Sequence, residues 1–275
     1  MKKRKIEKRI GLTVIFLILG ILFCSPFLLL LINSFKSYND MVMNFLAWPR
    51  SFYLDNFTKA ITEMHFFRAV GNSVIITGGT MFVATVVSFM ASYGIFHIRG
   101  KVGKFLYLFF TLGQIVPFHS IMIALSVQLN RLGMNDRYIS LIVLYSGFHC
   151  CFGVFTYFGF LKSIPKELEE AAEIDGANIM QSMIQVVFPL LKSTTITLNV
   201  LFFLWTWNDF LMPSLYLGKD KKTLTVMIYM FKSTSGSKWN LLLAGLVLAI
   251  IPVVVIYIVA QKYITEGLTS GAVKG

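Results

Sequence analysis

Residues Glu167 to Asn178 read ELEEAAEIDGAN, which places five carboxylates within twelve residues of an otherwise apolar chain. This composition is typical of a helix that faces water. Apolar runs long enough to cross a lipid bilayer precede and follow the stretch. It therefore marks a loop outside the bilayer that divides a set of membrane spans.

The composition of the 275-residue chain is that of a membrane protein. Hydrophobic residues make up 56% of it and charged residues only 14%, whereas about a quarter of residues are charged in soluble domains. Spans joined by short loops leave no room for a second core, so we expect one membrane domain over residues 1–275. The formal charge of +12 comes from lysines and arginines near the ends of apolar runs, which indicates membrane orientation and no nucleic-acid binding.

Six apolar segments meet the length of about 20 residues that a transmembrane helix requires. They cover residues 10–32, 70–96, 105–128, 139–161, 194–217 and 241–262. Backbone groups in hydrocarbon must bond within their own segment, so each segment is predicted to be a helix and the fold class is an all-α membrane protein. Pro117 removes a backbone donor inside the third span and predicts a kink there.

The basic segment KKRKIEKR at residues 2–9 predicts a cytoplasmic N-terminus. The apolar run after it exceeds the ~7–15 residues of a cleavable signal, so we expect an uncleaved first span. With six spans, both termini are cytoplasmic, as are the loop at 163–192 and the tail at 263–275. Five lysines in the predicted outer segment 219–238 oppose this orientation. The N-terminal cluster outweighs them, because the charge rule weakens away from span ends.

The loop at 163–192 begins with the signals of a short helix. Pro165 suits a first turn, and Gly176 fits a C-terminal cap. One face holds Leu168, Ala171, Ala172 and Asp175. Another holds the acids Glu169, Glu170 and Glu173. Small residues flanked by acids allow close approach of another protein, whereas helices that lie on membranes are usually rich in lysine and arginine. We therefore predict that this helix docks on another protein; the alternative is that it lies on the membrane surface.

The motif EEAAEIDGAN, followed by VVFPLLK, resembles the EAA loop of permease subunits of ATP-binding cassette (ABC) importers. The longer stretch SIPKELEEAAEIDGA is similar to the form in the carbohydrate-uptake family that includes the maltose permease subunit. The segments QIVP at 114–117, FLWTWNDFL at 203–211 and QKYITEGLTSGAVKG at 261–275 resemble the same family. One departure is Ser193, where many relatives have proline.

This resemblance implies a type I ABC importer permease fold, with a permease region at about 67–262. The EAA loop would be a coupling helix that seats in a separate cytoplasmic ATPase. The implied docking residues are Glu170, Ala171, Ala172, Asp175 and Gly176. In the tail, Gly267, Thr269 and Gly271 are implied to contact the ATPase subunits, and a disordered end is the alternative. The implied partners are a second homologous permease forming a heterodimer, two ATPase subunits and an extracellular solute-binding protein.

The chain carries no sequence motif for chemistry of its own. It lacks the G-x-x-x-x-G-K-[ST] phosphate loop, so ATP hydrolysis must belong to another polypeptide. It also lacks H-E-x-x-H and G-x-S-x-G. The three cysteines have no metal or redox spacing, and the four histidines are scattered singly. We expect no catalytic residue, no metal and no cofactor.

The fifth span carries a candidate solute path. Trp205, Asn208 and Asp209 fall on one side at i, i+3 and i+4, and an aspartate in a span is costly unless it faces protein or water. Aromatic rings suit the apolar faces of sugars, and amides or carboxylates suit their hydroxyls. The candidate lining residues are Gln114, His119, Trp205, Trp207, Asn208 and Asp209. The alternative is that the tryptophans form an interfacial belt and Asp209 pairs with a neighbouring helix.

The sequence thus predicts a permease subunit of an ATP-driven importer for a sugar or oligosaccharide. An importer for another solute, such as glycerol phosphate, is an alternative with a similar permease. A six-span channel would need a re-entrant filter or a ring of like charges, and neither is apparent. A membrane enzyme would need a catalytic constellation, which the chain lacks.

Overall fold

The computed structural model describes residues 2–232 and 238–272, with side chains placed for 11–232, 238–258 and 261. These residues form helices and no β-strand. The α-helices are α1 (Lys2–Ser34), α2 (Tyr38–Met43), α3 (Asp55–Glu63), α4 (Phe66–His97), α5 (Lys101–Gly113), α6 (Phe118–Arg131), α7 (Tyr138–Leu161), α8 (Glu167–Ile174), α9 (Ile179–Gln181), α10 (Phe188–Leu190), α11 (Lys192–Asn208), α12 (Leu211–Tyr216), α13 (Leu224–Tyr229) and α14 (Trp239–Ala272). A π-helical turn at Ser182–Val187 joins α9 to α10.

Four helices in the described part of the chain are long and apolar enough to cross a membrane unbroken. They are Gly11–Ser34, Phe66–His97, Tyr138–Leu161 and Trp239–Ile258. Two bent pairs raise the number to six if each pair is one span, namely Lys101–Gly113 with Phe118–Arg131 and Ile179–Leu190 with Lys192–Asn208. The all-α membrane fold is confirmed, although the third and fifth predicted spans are not single helices.

The third predicted span breaks between Gly113 and Phe118. Helices α5 and α6 meet there at 96°. Pro117 lies directly before α6 with extended backbone, φ −74° and ψ 130°, a position where its missing N–H removes no helical hydrogen bond. The expected kink at Pro117 is therefore a near right-angle break.

The fifth predicted span, 194–217, also contains a break. Helix α11 ends at Asn208, Asp209 is extended, and α12 begins at Leu211. The Asp209 carboxylate accepts hydrogen bonds from the backbone N–H of Leu211 at 3.0 Å and of Met212 at 3.2 Å. A carboxylate that satisfies the first amides of a helix favours a new start at that point. The expectation of one continuous helix is corrected, since Asp209 lies between two helices.

Close packing divides the chain into two compact units. The first comprises residues 1–67 and 227–251, and the second comprises residues 68–226 and 252–275. The single membrane domain expected over 1–275 stays a prediction.

The first unit contains a fully buried cation, Lys36. Its ammonium donates to Asn33 Oδ1 at 3.0 Å and to the carbonyl oxygen of Asn44 at 2.8 Å. The Asn56 amide donates to the carbonyl oxygen of Lys36 at 2.8 Å and accepts from Asn240 at 2.7 Å. Buried polar groups are costly unless they are hydrogen-bonded. The network provides partners for both the ammonium and the backbone carbonyl oxygen of Lys36, and so stabilises the unit.

The second unit has a core that joins spans to the predicted loop at 163–192. Its buried members are Ala84, Phe89, Tyr93, Tyr157, Leu161, Met183, Val187, Leu191, Leu198 and Phe202. Met183, Val187 and Leu191 belong to that loop, so its second half packs into the core. Helices α4 and α7 approach closely at Gly153, where an added Cβ would lie 2.5 Å from Ser88 Oγ.

Charged residues of the lysine-rich segment after α12 form ion pairs and hydrogen bonds within the second unit. Lys221 Nζ lies 3.2 Å from the Asp136 carboxylate, and Lys222 Nζ donates to a carbonyl oxygen of α12 at 2.8 Å. Asp220 pairs with Arg68 at 2.9 Å. Two of the lysines that oppose the predicted orientation therefore have structural partners.

Candidate functional site

Helix α8 has no buried residue. It ends where Gly176 adopts φ +87°, a left-handed conformation that favours glycine. The helical segment that follows starts with a capping box, in which Asn178 and Gln181 exchange hydrogen bonds at 2.8 and 2.9 Å. The short helix and the glycine cap are therefore present as the sequence indicated, and a second helical segment follows them.

The five predicted docking residues lie at the exposed end of this loop. Four of them are exposed, namely Glu170, Ala171, Asp175 and Gly176, and Ala172 is half-buried. Apolar side chains accompany them, because Ile174 is 87% exposed and Ile179 is 73% exposed. Neither isoleucine was among the predicted docking residues, although both are apolar residues that lie within or directly after the acidic stretch. Apolar groups rimmed by charge are typical of a surface that another protein covers.

Glu169 is turned inward, whereas the adjacent Glu170 is exposed. The Glu169 carboxylate accepts a hydrogen bond from Tyr93 Oη at 2.7 Å and lies 3.2 Å from His97 Nε2. Glu169 was expected to share an outer face with Glu170 and Glu173, so its inward position is a correction. No local signal separates adjacent glutamates, because the two partners belong to the distant helix α4.

The tail residues named from the sequence, Gly267, Thr269 and Gly271, fall in the last turns of α14. Their side chains lie outside the described ones. Their contact with an ATPase stays a prediction.

A cavity of about 670 Å³ opens in the second unit. It is lined by Phe118, His119, Tyr145, Phe148, His149, Leu204, Trp205, Asn208, Asp209, Leu211 and Met212. Four of the six predicted path residues are among these, namely His119, Trp205, Asn208 and Asp209. Aromatic walls with a few polar groups are typical of small-molecule sites.

The other two predicted path residues do not line this cavity. Trp207 is only 4% exposed, and its ring stacks on Phe203 at 5.3 Å between centroids. Positions two apart on a helix point to nearly opposite sides, so Trp207 cannot share the face of Trp205. Gln114 lies in the break before α6, where its amide donates to the carbonyl oxygen of Cys151 at 3.4 Å.

Asp209 lines the cavity with a carboxylate that already has three donors. Besides the two amides of α12, the hydroxyl of Tyr145 donates to it at 2.6 Å. Tyr145 belongs to α7, so the pairing of Asp209 with a neighbouring helix, the alternative left open by the sequence, is present. Asp209 therefore fixes the shape of the cavity wall between α11 and α12.

His149 also lines the cavity, although it was not among the residues predicted for the solute path. It is buried, its Nε2 lies 2.9 Å from Thr206 Oγ1, and its ring stacks on Phe202 at 5.0 Å. The ring also packs against Trp205 at 5.5 Å, and so supports the exposed tryptophan. An isolated histidine in an apolar run gives no signal of these contacts. Within the described residues no three His, Cys, Asp or Glu side chains come together as metal ligands.

Curated relatives align with this chain over nearly all of its length. It is 38% identical, over 100% of both chains, to the protein named Probable starch degradation products transport system permease protein AmyC of Thermoanaerobacterium thermosulfurigenes. It is 31% identical to the melibiose/raffinose/stachyose import permease protein MelC of Bacillus subtilis (strain 168), covering 96% of this chain and 98% of that protein.

Solved structures share the fold. A bacterial ABC transporter involved in the import of the acidic polysaccharide alginate matches with a TM-score of 0.79 and 21% identity, over 93% of this chain and 95% of that one. Residues 84–270 match the family model described as binding-protein-dependent transport system inner membrane component, which overlaps most of the predicted permease region. On this match and on the whole-length identity to its relatives, the chain belongs to the family of binding-protein-dependent transport system inner membrane components.

Proposed function

We propose that this chain is the permease subunit of an ATP-driven importer that moves a sugar or oligosaccharide across the cytoplasmic membrane. The named relatives transport starch degradation products and melibiose, raffinose or stachyose, and the structural match imports alginate. The observation that carries the proposal is helix α8, which has no buried residue and is linked to α4 through Glu169. A helix that is exposed yet anchored suits docking of a separate ATPase.

The docking surface combines charge and close approach. The exposed Glu170 carboxylate would pair with a basic residue of the ATPase, and Ala171 would allow that partner close to the backbone. Ile174 would bury its side chain in the same interface. Removing one partner of a buried charge pair at an interface costs about 2–5 kcal/mol, so Glu170 is the residue whose change should matter most.

The solute path would run through the cavity beside Trp205. Its volume of about 670 Å³ falls within the ~300–1,000 Å³ of small-molecule sites. Trp205, which is 44% exposed, presents a ring suited to the apolar face of a sugar. His119 and Asn208 would bind hydroxyl groups.

The complete importer would contain four further proteins. They are a second homologous permease forming a heterodimer, two ATPase subunits that hydrolyse ATP, and an extracellular solute-binding protein. Both termini of this chain would be cytoplasmic, and Gly267, Thr269 and Gly271 would contact the ATPase subunits. Closure of the ATPase pair would move α8, and the attached spans would reopen outward.

The test measures ATP hydrolysis by the complete complex purified from membranes, with Glu170→Lys compared with Glu167→Lys. Both variants make the same charge change on one helix, and both residues are exposed. We expect Glu170→Lys to lower hydrolysis stimulated by solute-loaded binding protein by about tenfold or more, as a buried pair at an interface requires. Glu167→Lys should remain near the wild type. Undiminished hydrolysis with Glu170→Lys would refute the proposed docking.

A further inference from the structure

Helix α8 is joined to the spans by the side-chain hydrogen bonds of one residue. Among the described residues, Glu169 is the member of α8 whose side chain bonds another helix. Its side chain is 15% exposed, whereas the flanking Leu168 and Glu170 are exposed. A force applied to the outer face of α8 therefore has a direct polar connection to α4.

The receiving end of this connection is a pair on one face of α4. Tyr93 and His97 are four residues apart, and their rings lie 4.3 Å apart between centroids. Both reach the same atom, Glu169 Oε2, with Tyr93 Oη at 2.7 Å and His97 Nε2 at 3.2 Å. His97 Nδ1 lies 2.9 Å from the carbonyl oxygen of Tyr93. Because each ring nitrogen faces an oxygen atom, the orientation of the imidazole ring is fixed.

Tyr93 extends the connection into the core. It is 5% exposed and belongs to the buried cluster that includes Phe89, Tyr157 and Phe202. These side chains come from α4, α7 and α11. A displacement passed from Glu169 to Tyr93 would therefore reach three spans through close-packed side chains, which transmit strain because interiors have low compressibility.

The geometry points to Glu169 as the positioning residue that transmits movement of α8 to α4, with Tyr93 and His97 as its receivers. The two adjacent glutamates then have different roles: Glu170 binds the ATPase, and Glu169 bonds α8 to the span α4. This inference rests on the proposed function and assigns the link inside the permease, which docking alone does not require. Loss of Glu169 should leave the complex assembled while ATP hydrolysis no longer drives transport.

The test uses the complete complex in proteoliposomes with its solute-loaded binding protein. Uptake of labelled solute and ATP hydrolysis are measured together, so that uptake per ATP reports coupling. The variants are Glu169→Ala, Glu169→Gln and Tyr93→Phe, with Glu167→Ala as a control that removes an exposed carboxylate from the same helix. Co-purification of the ATPase subunits checks that each variant assembles.

We expect Glu169→Ala to assemble and to lower uptake per ATP by about tenfold, within the usual range of coupling between sites. Glu169→Gln keeps an oxygen that accepts from Tyr93, so its uptake per ATP should stay within about twofold of wild type. Tyr93→Phe removes one hydroxyl and should fall between the two. Glu167→Ala should match the wild type.

Wild-type uptake per ATP with Glu169→Ala would overturn the link, as would equal losses with Glu169→Gln and Glu169→Ala. If Glu169→Ala does not assemble, Tyr93→Phe decides, and unchanged coupling with it would overturn the inference. A wild-type complex without ATP-driven uptake would refute the proposed function itself. Normal wild-type uptake with undiminished coupling in the variants would refute the Glu169 link alone.

Discussion

The close contact of α4 with α7 at Gly153 gives a stability prediction with an internal control. A Cβ added there would lie 2.5 Å from Ser88 Oγ, 2.6 Å from Ser88 Cβ and 3.4 Å from the Phe202 ring. Ordinary contacts between heavy atoms are about 3.5–4.0 Å. Ser88 is fully buried and its hydroxyl is bonded to the carbonyl oxygen of Ala84, so it cannot move aside without cost.

Gly159 of the same helix provides the control, because a Cβ there would meet no atom within 4 Å. Alanine is more favourable than glycine inside a helix by up to about 1 kcal/mol, and this gain in stability applies to both variants. Overpacking in a filled interior costs about 1–3 kcal/mol and applies only to Gly153→Ala. Since the helix preference is common to both, we expect Gly153→Ala to be less stable than Gly159→Ala by about 1–3 kcal/mol.

The assay is unfolding of each purified variant by titration of a denaturing detergent into mild micelles, followed by helical circular dichroism. Gly159→Ala should unfold at or above the wild-type midpoint, and Gly153→Ala below it. Equal midpoints for the two variants, or a higher midpoint for Gly153→Ala, would refute the close packing of α4 on α7.

Two further predictions concern the cavity and the loop after α12. Trp205→Ala should raise the KM for sugar uptake about tenfold, equivalent to about 1.4 kcal/mol of lost ring contact. Trp239→Ala removes a tryptophan of the same 44% exposure outside the cavity and should leave the KM unchanged. Equal effects of the two variants on the KM would contradict the cavity assignment. The backbone N–H of Gly218 and the ammonium of Lys221 hold the pKa of Asp136 below its ordinary value. The ionised Asp136 carboxylate therefore stabilises the fold at pH above its unfolded-state pKa of about 3.9. This stabilisation is lost as the pH falls through the lower pKa of the folded state. Asp136→Asn should therefore melt below the wild type at pH 7, with the difference shrinking as pH falls below about 4; equal melting temperatures at pH 7 would contradict this contribution.

The spans and helix α8 could be predicted from the sequence because their causes are local. Long apolar runs form helices in lipid wherever they occur, and α8 follows from composition and from Gly176. The position of the break at Pro117 was expected, but the angle of 96° between α5 and α6 was not, since that angle depends on how the two helices pack. The break at Asp209 was not expected, because its cause is a carboxylate that bonds two amides beyond it.

The inward and outward roles of neighbouring residues could not be predicted. Glu169 and Glu170 are adjacent and identical, and the difference between them depends on Tyr93 and His97 of a distant helix. Trp205 and Trp207 both suit a sugar path by type, yet only Trp205 lines the cavity. Helical spacing groups Trp205 with Asn208 and Asp209 and separates it from Trp207, but the burial of Trp207 depends on which neighbouring residues cover its side.

We propose that this permease imports a sugar by ATP-driven alternating access. The most direct measurement is uptake of a labelled malto-oligosaccharide into proteoliposomes that hold the complete complex, with the binding protein outside and ATP inside. Accumulation above the external concentration is predicted only when both ATP and the binding protein are present. Equilibration of the sugar without ATP would contradict the claim and would indicate a channel.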